Sequence, residues 1–108
     1  MKKYNIAVLA GDFIGPEVIE ASIELLDVVA KKYNIELNYN RLPFGGNALD
    51  SHGNPLPQET KDACLEADAV LMGCSGGPVG DHPWNKVPRE LRVESGILGI
   101  RKHLGVFA

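Results

Sequence analysis

The stretch RVESGILGIRKHL, near the end of the sequence, places Glu94, Ile97, Leu98 and Arg101 at i, i+3, i+4 and i+7. That spacing puts all four side chains on one face of an α-helix. A carboxylate stands at one end of the face, two aliphatics in the middle and a guanidinium at the other end. At the helical rise, the two charges lie roughly 10 Å apart along the axis. A small acid with a branched apolar tail suits this layout. Its carboxylate takes the Arg101 fork bidentately, its tail packs on Ile97 and Leu98, and Glu94 meets a positive or polar group beyond. The same pattern also reads as an ordinary amphipathic helix with Arg101 snorkelling to water, and spacing alone leaves both readings open. Lys102 and His103 fall off this face and are expected in solvent.

The other reactive residue types form no recognisable set. His52 and His82 fall in expected loops with no metal-binding neighbour, and no Ser/His/Asp arrangement is readable from spacing. Cys64 and Cys74 do not form a C-x-x-C pair. Reduced thiols of a cytosolic protein are the plain expectation.

The second candidate lies near the start, in AVLAGDFIGPEVIE, Ala7 to Glu20. A short apolar run meets Gly11, Gly15 and Pro16, and a helical pattern follows. Many α/β proteins hold a phosphate at such a junction. The glycines here are spaced G-x-x-x-G rather than G-x-G-x-x-G, and no Gly-Lys-Ser/Thr follows. Glu17 and Glu20 already put negative charge at the helix start. The stretch is expected to be a strand-to-helix turn, although the free N–H groups ahead of Glu17 leave an anion site possible.

The elements that must position these residues follow from hydrophobic period and turn chemistry. Asn5–Ala10 is apolar without alternation, the pattern of a strand buried on both faces. From Pro16 to Tyr33 a polar stripe (Glu17, Glu20, Glu24, Asp27, Lys31) opposes an apolar one (Ile19, Ile23, Leu26, Val29, Ala30), which predicts an amphipathic helix. Pro16 suits its first turn, and Lys31 and Lys32 suit its last. Glu36–Leu42 alternates as a half-exposed strand. Pro43 to Pro57 reads as loop with at most one helical turn, and Gln58–Glu66 as a short helix. Ala69–Gly73 is a second buried strand, Cys74 to Pro88 a Gly/Pro loop, and Ser95–Leu104 the last helix. Strand and helix alternate, so the class is α/β with parallel strands.

The balance of the chain excludes some functions. A net charge of −3 gives no basic excess for nucleic acid or a membrane surface. The apolar runs fall well short of the ~20 residues that span a bilayer. Met1-Lys2-Lys3 leads into a strand rather than the apolar core of a signal peptide. At 108 residues the chain suits one domain.

Several segments together resemble one family, in order along nearly all of the chain. AVLAGDFIGPEV, PFGGNALD, GNPLPQET, AVLMGCSGGP and ESGILGIRKHLGVFA are similar to successive segments at the start of the 3-isopropylmalate dehydrogenases, a branch of the β-decarboxylating isocitrate/isopropylmalate dehydrogenases. The resemblance implies a three-layer, non-Rossmann α/β fold, of which residues 1–108 form only a partial first domain. It implies an enzyme that oxidises (2R,3S)-3-isopropylmalate with NAD and decarboxylates the product with Mg2+ or Mn2+, in leucine biosynthesis. It also implies a cytoplasmic homodimer.

By the same resemblance, Arg101 falls on a substrate-carboxylate arginine, and Ile97 and Leu98 on residues that touch the isopropyl group. Glu94 lies between substrate and nicotinamide, and Gly77, Pro78 and Ser95 belong with it to the cofactor-contacting segment. Relatives that use isocitrate carry a polar helix here, so the aliphatic pair favours isopropylmalate. Phe13 stands where the family has glycine, Val93 where proline is common and Ser95 where threonine is. Phe13 is expected to keep a negative φ, because a positive one costs roughly 1–2 kcal/mol.

Family chains are several times longer, and their proton-transfer tyrosine and lysine and metal-binding aspartates lie further on. This chain is therefore expected to be a fragment, inactive alone, with Ile100, Leu104, Val106 and Phe107 partly uncovered. The alternative is a free-standing flavodoxin-like binding module, one without the acidic strand ends of a phospho-receiver.

Overall fold

Three parallel strands form the centre of the structure, a computed structural model that describes residues 2–77 and 82–106. They are β1 (Lys2–Leu9), β2 (Ile35–Arg41) and β3 (Ala69–Met72), arranged in the order β2-β1-β3. In register, Lys2 of β1 stands beside Ile35 of β2, and Ile6 beside Ala69 of β3. The central strand is covered on both sides, which is why its apolar run does not alternate. Ile6, Val8 and Ala10 join Ile19 and Ile23 of α1 (Gly15–Lys32) on one face. Ala7 and Leu9 meet Cys64 of α3 (Gln58–Glu66) and Ile100 of α4 (Val93–Leu104) on the other. The result is helix, sheet and helices in three layers.

Two small residues let α4 lie close to the rest. A Cβ on Gly96 would stand 3.2 Å from Pro55, and one on Gly99 would stand 3.2 Å from Leu56. Gly105 closes the helix in the left-handed conformation, with Val106 N–H donating to the Arg101 carbonyl.

Against the sequence expectations, α2 (Gly46–His52) is a full helix inside the segment read as loop. The glycines and asparagines at and around its ends hid it, because tertiary contacts at its N-terminus override weak propensity. Val29 of α1 is exposed rather than buried. Ile100 is fully buried, not uncovered, because it points into the core between α3 and the sheet. Leu104 is half-buried and Val106 exposed, while Phe107 lies outside the described residues. The His103 ring is also not solvated: its Nε2 is buried, without a hydrogen-bond partner among the described residues.

Phe13 departs most sharply from expectation. Its φ is 50°, in the left-handed region. The strain of about 1–2 kcal/mol is offset by an edge-to-face contact with Trp84, whose ring centroid lies 5.7 Å away. Such pairs contribute about 0.5–1.5 kcal/mol beyond burial.

One layer contact carries a pH prediction. Tyr39 on β2 donates its hydroxyl to Asp27 on α1 at 3.0 Å. Burial first, then the hydrogen bond to Asp27 and its charge, push the phenol up to about 12, with Arg41 pulling the other way. The folded value exceeds the ordinary phenol value of about 10. The stabilising contribution is therefore complete below pH ~10 and lost as pH rises through the folded value. Across that window the wild type should lose stability relative to Tyr39→Phe in denaturation midpoints. Parallel pH curves for the two proteins would contradict this.

Candidate functional site

The loops that leave β1 and β3 converge beyond the carboxyl ends of the strands, where open α/β sheets place their ligands. Asp12, just after β1, organises this edge. It is 1% exposed. Its Oδ2 accepts from Gly46 N–H at 2.7 Å and from Gly76 N–H at 2.8 Å, and its Oδ1 accepts from Asn47 N–H at 2.8 Å. Asp12 N–H donates to the Cys74 carbonyl, and the Asn47 amide donates to the Gly11 carbonyl. One carboxylate thus ties the β1–α1 turn to the start of α2 and to the loop after β3. Gly11 is needed beside it: its φ is 83°, and a Cβ there would fall 2.0 Å from the Cys74 carbonyl oxygen.

This arrangement answers what the glycine-flanked stretch does. The α2 N–H groups that could receive an anion already hold the Asp12 carboxylate. At the start of α1, Gly15 N–H donates to the Asp12 carbonyl, and Glu20 turns away to a forked ion pair with Arg41 at 2.8 Å. The stretch is a structural junction, as expected, but its aspartate does work that the sequence reading did not assign.

Trp84 forms the next wall. It is buried in a 3-10 turn at Pro83–Asn85, and its indole N–H donates to Asp50 of α2 at 2.9 Å. A Cβ on Gly46 would fall 2.3 Å from its ring, so only glycine lets α2 approach. Phe13 and His82 both meet the indole edge to face. Below this cluster lies a polar pocket of about 300 Å³, with Gly76, Gly77, Trp84, Val93 and Glu94 in its lining. The Ser75 hydroxyl oxygen is buried in its wall, without a hydrogen-bond partner among the described residues.

The residues singled out from sequence are therefore divided. Gly77 and Glu94 share the polar pocket. The Ser95 hydroxyl donates to the Arg89 carbonyl at 2.7 Å, which steadies the entrance to α4. Pro78 lies outside the described residues. Along α4, Glu94, Leu98 and Arg101 are exposed, Leu98 at 63%, while Ile97 is half-buried against the core. Neither Glu94 nor Arg101 has an ion-pair partner among the described residues. Arg101 lines a separate groove of about 510 Å³, with Asp68, Val70, Met72 and Leu104 nearby. Glu94, Leu98 and Arg101 are thus exposed in one row along α4, with Glu94 and Arg101 lining different cavities.

Sequence reasoning missed Asp12, Trp84 and Ser75. Trp84 had a signal, being the single tryptophan in a loop rich in glycine and proline. No three His, Cys, Asp or Glu side chains gather as a metal site among the described residues. No helix among them is long and apolar enough to cross a membrane.

The family profile described as isocitrate/isopropylmalate dehydrogenase matches residues 5–108. A 3-isopropylmalate dehydrogenase of Wolinella succinogenes is 48% identical over 108 residues, covering all of this chain and 29% of the relative. That of Bacillus subtilis is 50% identical over 108 residues, covering 28% of the relative. The chain thus spans less than a third of the length of the curated relatives it matches, at their N-terminal part. Among solved structures, the apo form of a β-decarboxylating dehydrogenase from Thermococcus kodakarensis superposes with a TM-score of 0.65 at 31% identity, over 94% of this chain and 27% of that one. An isocitrate dehydrogenase from Methylococcus capsulatus gives 0.56 at 27% identity, over 76% of this chain and 22% of that one.

Proposed function

The chain belongs to the isocitrate/isopropylmalate dehydrogenase family, and from that premise we propose that it is the N-terminal part of an NAD-dependent 3-isopropylmalate dehydrogenase. The complete enzyme oxidises (2R,3S)-3-isopropylmalate and releases carbon dioxide to give 4-methyl-2-oxopentanoate. The observation that carries this reading is identity of 48% with a 3-isopropylmalate dehydrogenase along all of the chain. That collinear identity disfavours a free-standing flavodoxin-like module.

The residues here do positioning work, which hydride transfer depends on. Arg101 fixes a substrate carboxylate, and Leu98 and Ile97 hold the isopropyl tail. Glu94, in the wall shared with Gly77, faces the junction of substrate and cofactor. Gly77, Pro78, Glu94 and Ser95 form or support the cofactor side. NAD, when bound, accepts the hydride. The pocket beside Gly77 suits one end of such a ligand, with polar walls and an unpaired Ser75 hydroxyl. The Mg2+ or Mn2+ ligands and the proton-transfer groups are placed outside this chain, which has no activity by itself. Residues 1–108 form part of the first domain of a cytoplasmic homodimer in leucine biosynthesis.

Leu98 provides the test. Replacing it with asparagine in the full-length enzyme should lower kcat/KM for 3-isopropylmalate by roughly 10–100-fold while sparing malate, which lacks the tail, because a branched tail in an apolar pocket is worth roughly 1–3 kcal/mol. Equal loss on both substrates would remove Leu98 from the tail pocket.

A further inference from the structure

Phe13 combines three properties that its fold alone does not require. Its backbone is held at a φ of 50°, a conformation costly for any residue but glycine. The residue is 62% exposed although its side chain is apolar, and Ile14 beside it is 63% exposed. One edge of the ring nevertheless lies against two residues that line the polar pocket. Phe13 Cε2 stands 2.8 Å from where a Cβ on Gly77 would be, and the ring meets Trp84 edge to face at 5.7 Å. Gly77 and Trp84 both line the pocket that also holds Glu94. Backbone strain retained at a site edge is a pointer to function.

We propose that the exposed face of Phe13 stacks on the nicotinamide ring of bound NAD, as a cofactor contact added in this chain at a position where the resembled family carries glycine. The inference rests on the NAD reading above and deepens it. An aromatic face is electron-rich, and the oxidised nicotinamide is a cationic ring, so the two attract beyond simple area burial. Glu94 supplies negative charge in the adjoining pocket, whose lining includes the Gly77 and Trp84 that Phe13 meets. Trp84, anchored through Asp50, braces the Phe13 edge so that its free face keeps one orientation. The contact favours the cationic oxidised cofactor over the neutral reduced one.

The test is calorimetric binding of NAD+ and NADH to the full-length polypeptide, with Phe13→Gly, Phe13→Leu and Phe13→Tyr. Loss of the ring should raise the Kd for NAD+ about tenfold, as loss of a stacked aromatic does elsewhere. The rise for NADH should be smaller. Phe13→Tyr should restore the wild-type Kd to within about twofold. Phe13→Gly should also keep or raise the unfolding midpoint, because the strain is gone, so binding and stability move in opposite directions. A Kd for NAD+ unchanged in Phe13→Leu, with wild type binding normally, would overturn the stacking contact and leave the NAD reading standing. A wild type that does not bind NAD would overturn both.

Discussion

Asp12→Ala should destabilise the chain by about 3–5 kcal/mol, a large share of the stability of an ordinary domain. The Asp12 carboxylate accepts three backbone N–H groups, from Gly46, Asn47 and Gly76. Bonds to a charged acceptor are worth about 1.5–3 kcal/mol each, and a buried donor left without a partner costs about 1–3 kcal/mol. Alanine removes all three bonds at a residue 1% exposed, where water has little access to replace them. Asp12→Asn is the informative companion. Its amide oxygen, standing where Oδ2 stands, keeps the Gly46 and Gly76 bonds, while its NH2 faces the Asn47 N–H. It should cost about 1–3 kcal/mol, less than alanine. Chemical denaturation followed by circular dichroism measures both. An alanine variant as stable as wild type would mean that the three loops are held together without the carboxylate.

Arg101→Lys, in the full-length enzyme, should lower kcat/KM for 3-isopropylmalate by roughly one to two powers of ten. Lysine keeps the charge and loses the planar fork that meets a carboxylate through two parallel bonds. The loss of about 1.5–3 kcal/mol per charged hydrogen bond sets the scale. The fold should not change, because Arg101 is exposed in the last turn of α4, where either cation suits the helix dipole. Steady-state kinetics beside circular dichroism separates the two effects. Unchanged kinetics in a folded variant would make Arg101 a solvated surface charge.

The parts of the fold governed by local rules were legible in the sequence. The period of α1 and the proline before α3 each fixed an element within one residue of its observed bounds, and the unalternating run of β1 found the strand but missed its first three residues. Those rules act between residues three or four apart, or on opposite faces of one strand. The carboxylate of Asp12 acts across separations of 34 to 64 residues, and nothing in G-D-F-I-G announces its partners. The helix α2 was hidden for the same reason, since its start is held by Asp12 and by Trp84 packing on Gly46. Phe13 broke a steric rule that is sound locally, because a ring contact with Trp84, 71 positions away, offsets part of its cost. Of the candidate site, the spacing on α4 was readable. The shared pocket of Gly77 and Glu94 was not, because it exists only once the loop after β3 folds back against α4.

NADH absorbance with the full-length polypeptide tests most directly whether this chain carries the substrate-reading helix of a 3-isopropylmalate dehydrogenase. With NAD and magnesium, 3-isopropylmalate should support sustained turnover, and isocitrate should support little, because Leu98 and Ile97 offer its third carboxylate no hydrogen bond. Turnover of isocitrate at a kcat/KM equal to or above that for 3-isopropylmalate, or no turnover of 3-isopropylmalate, would contradict the account.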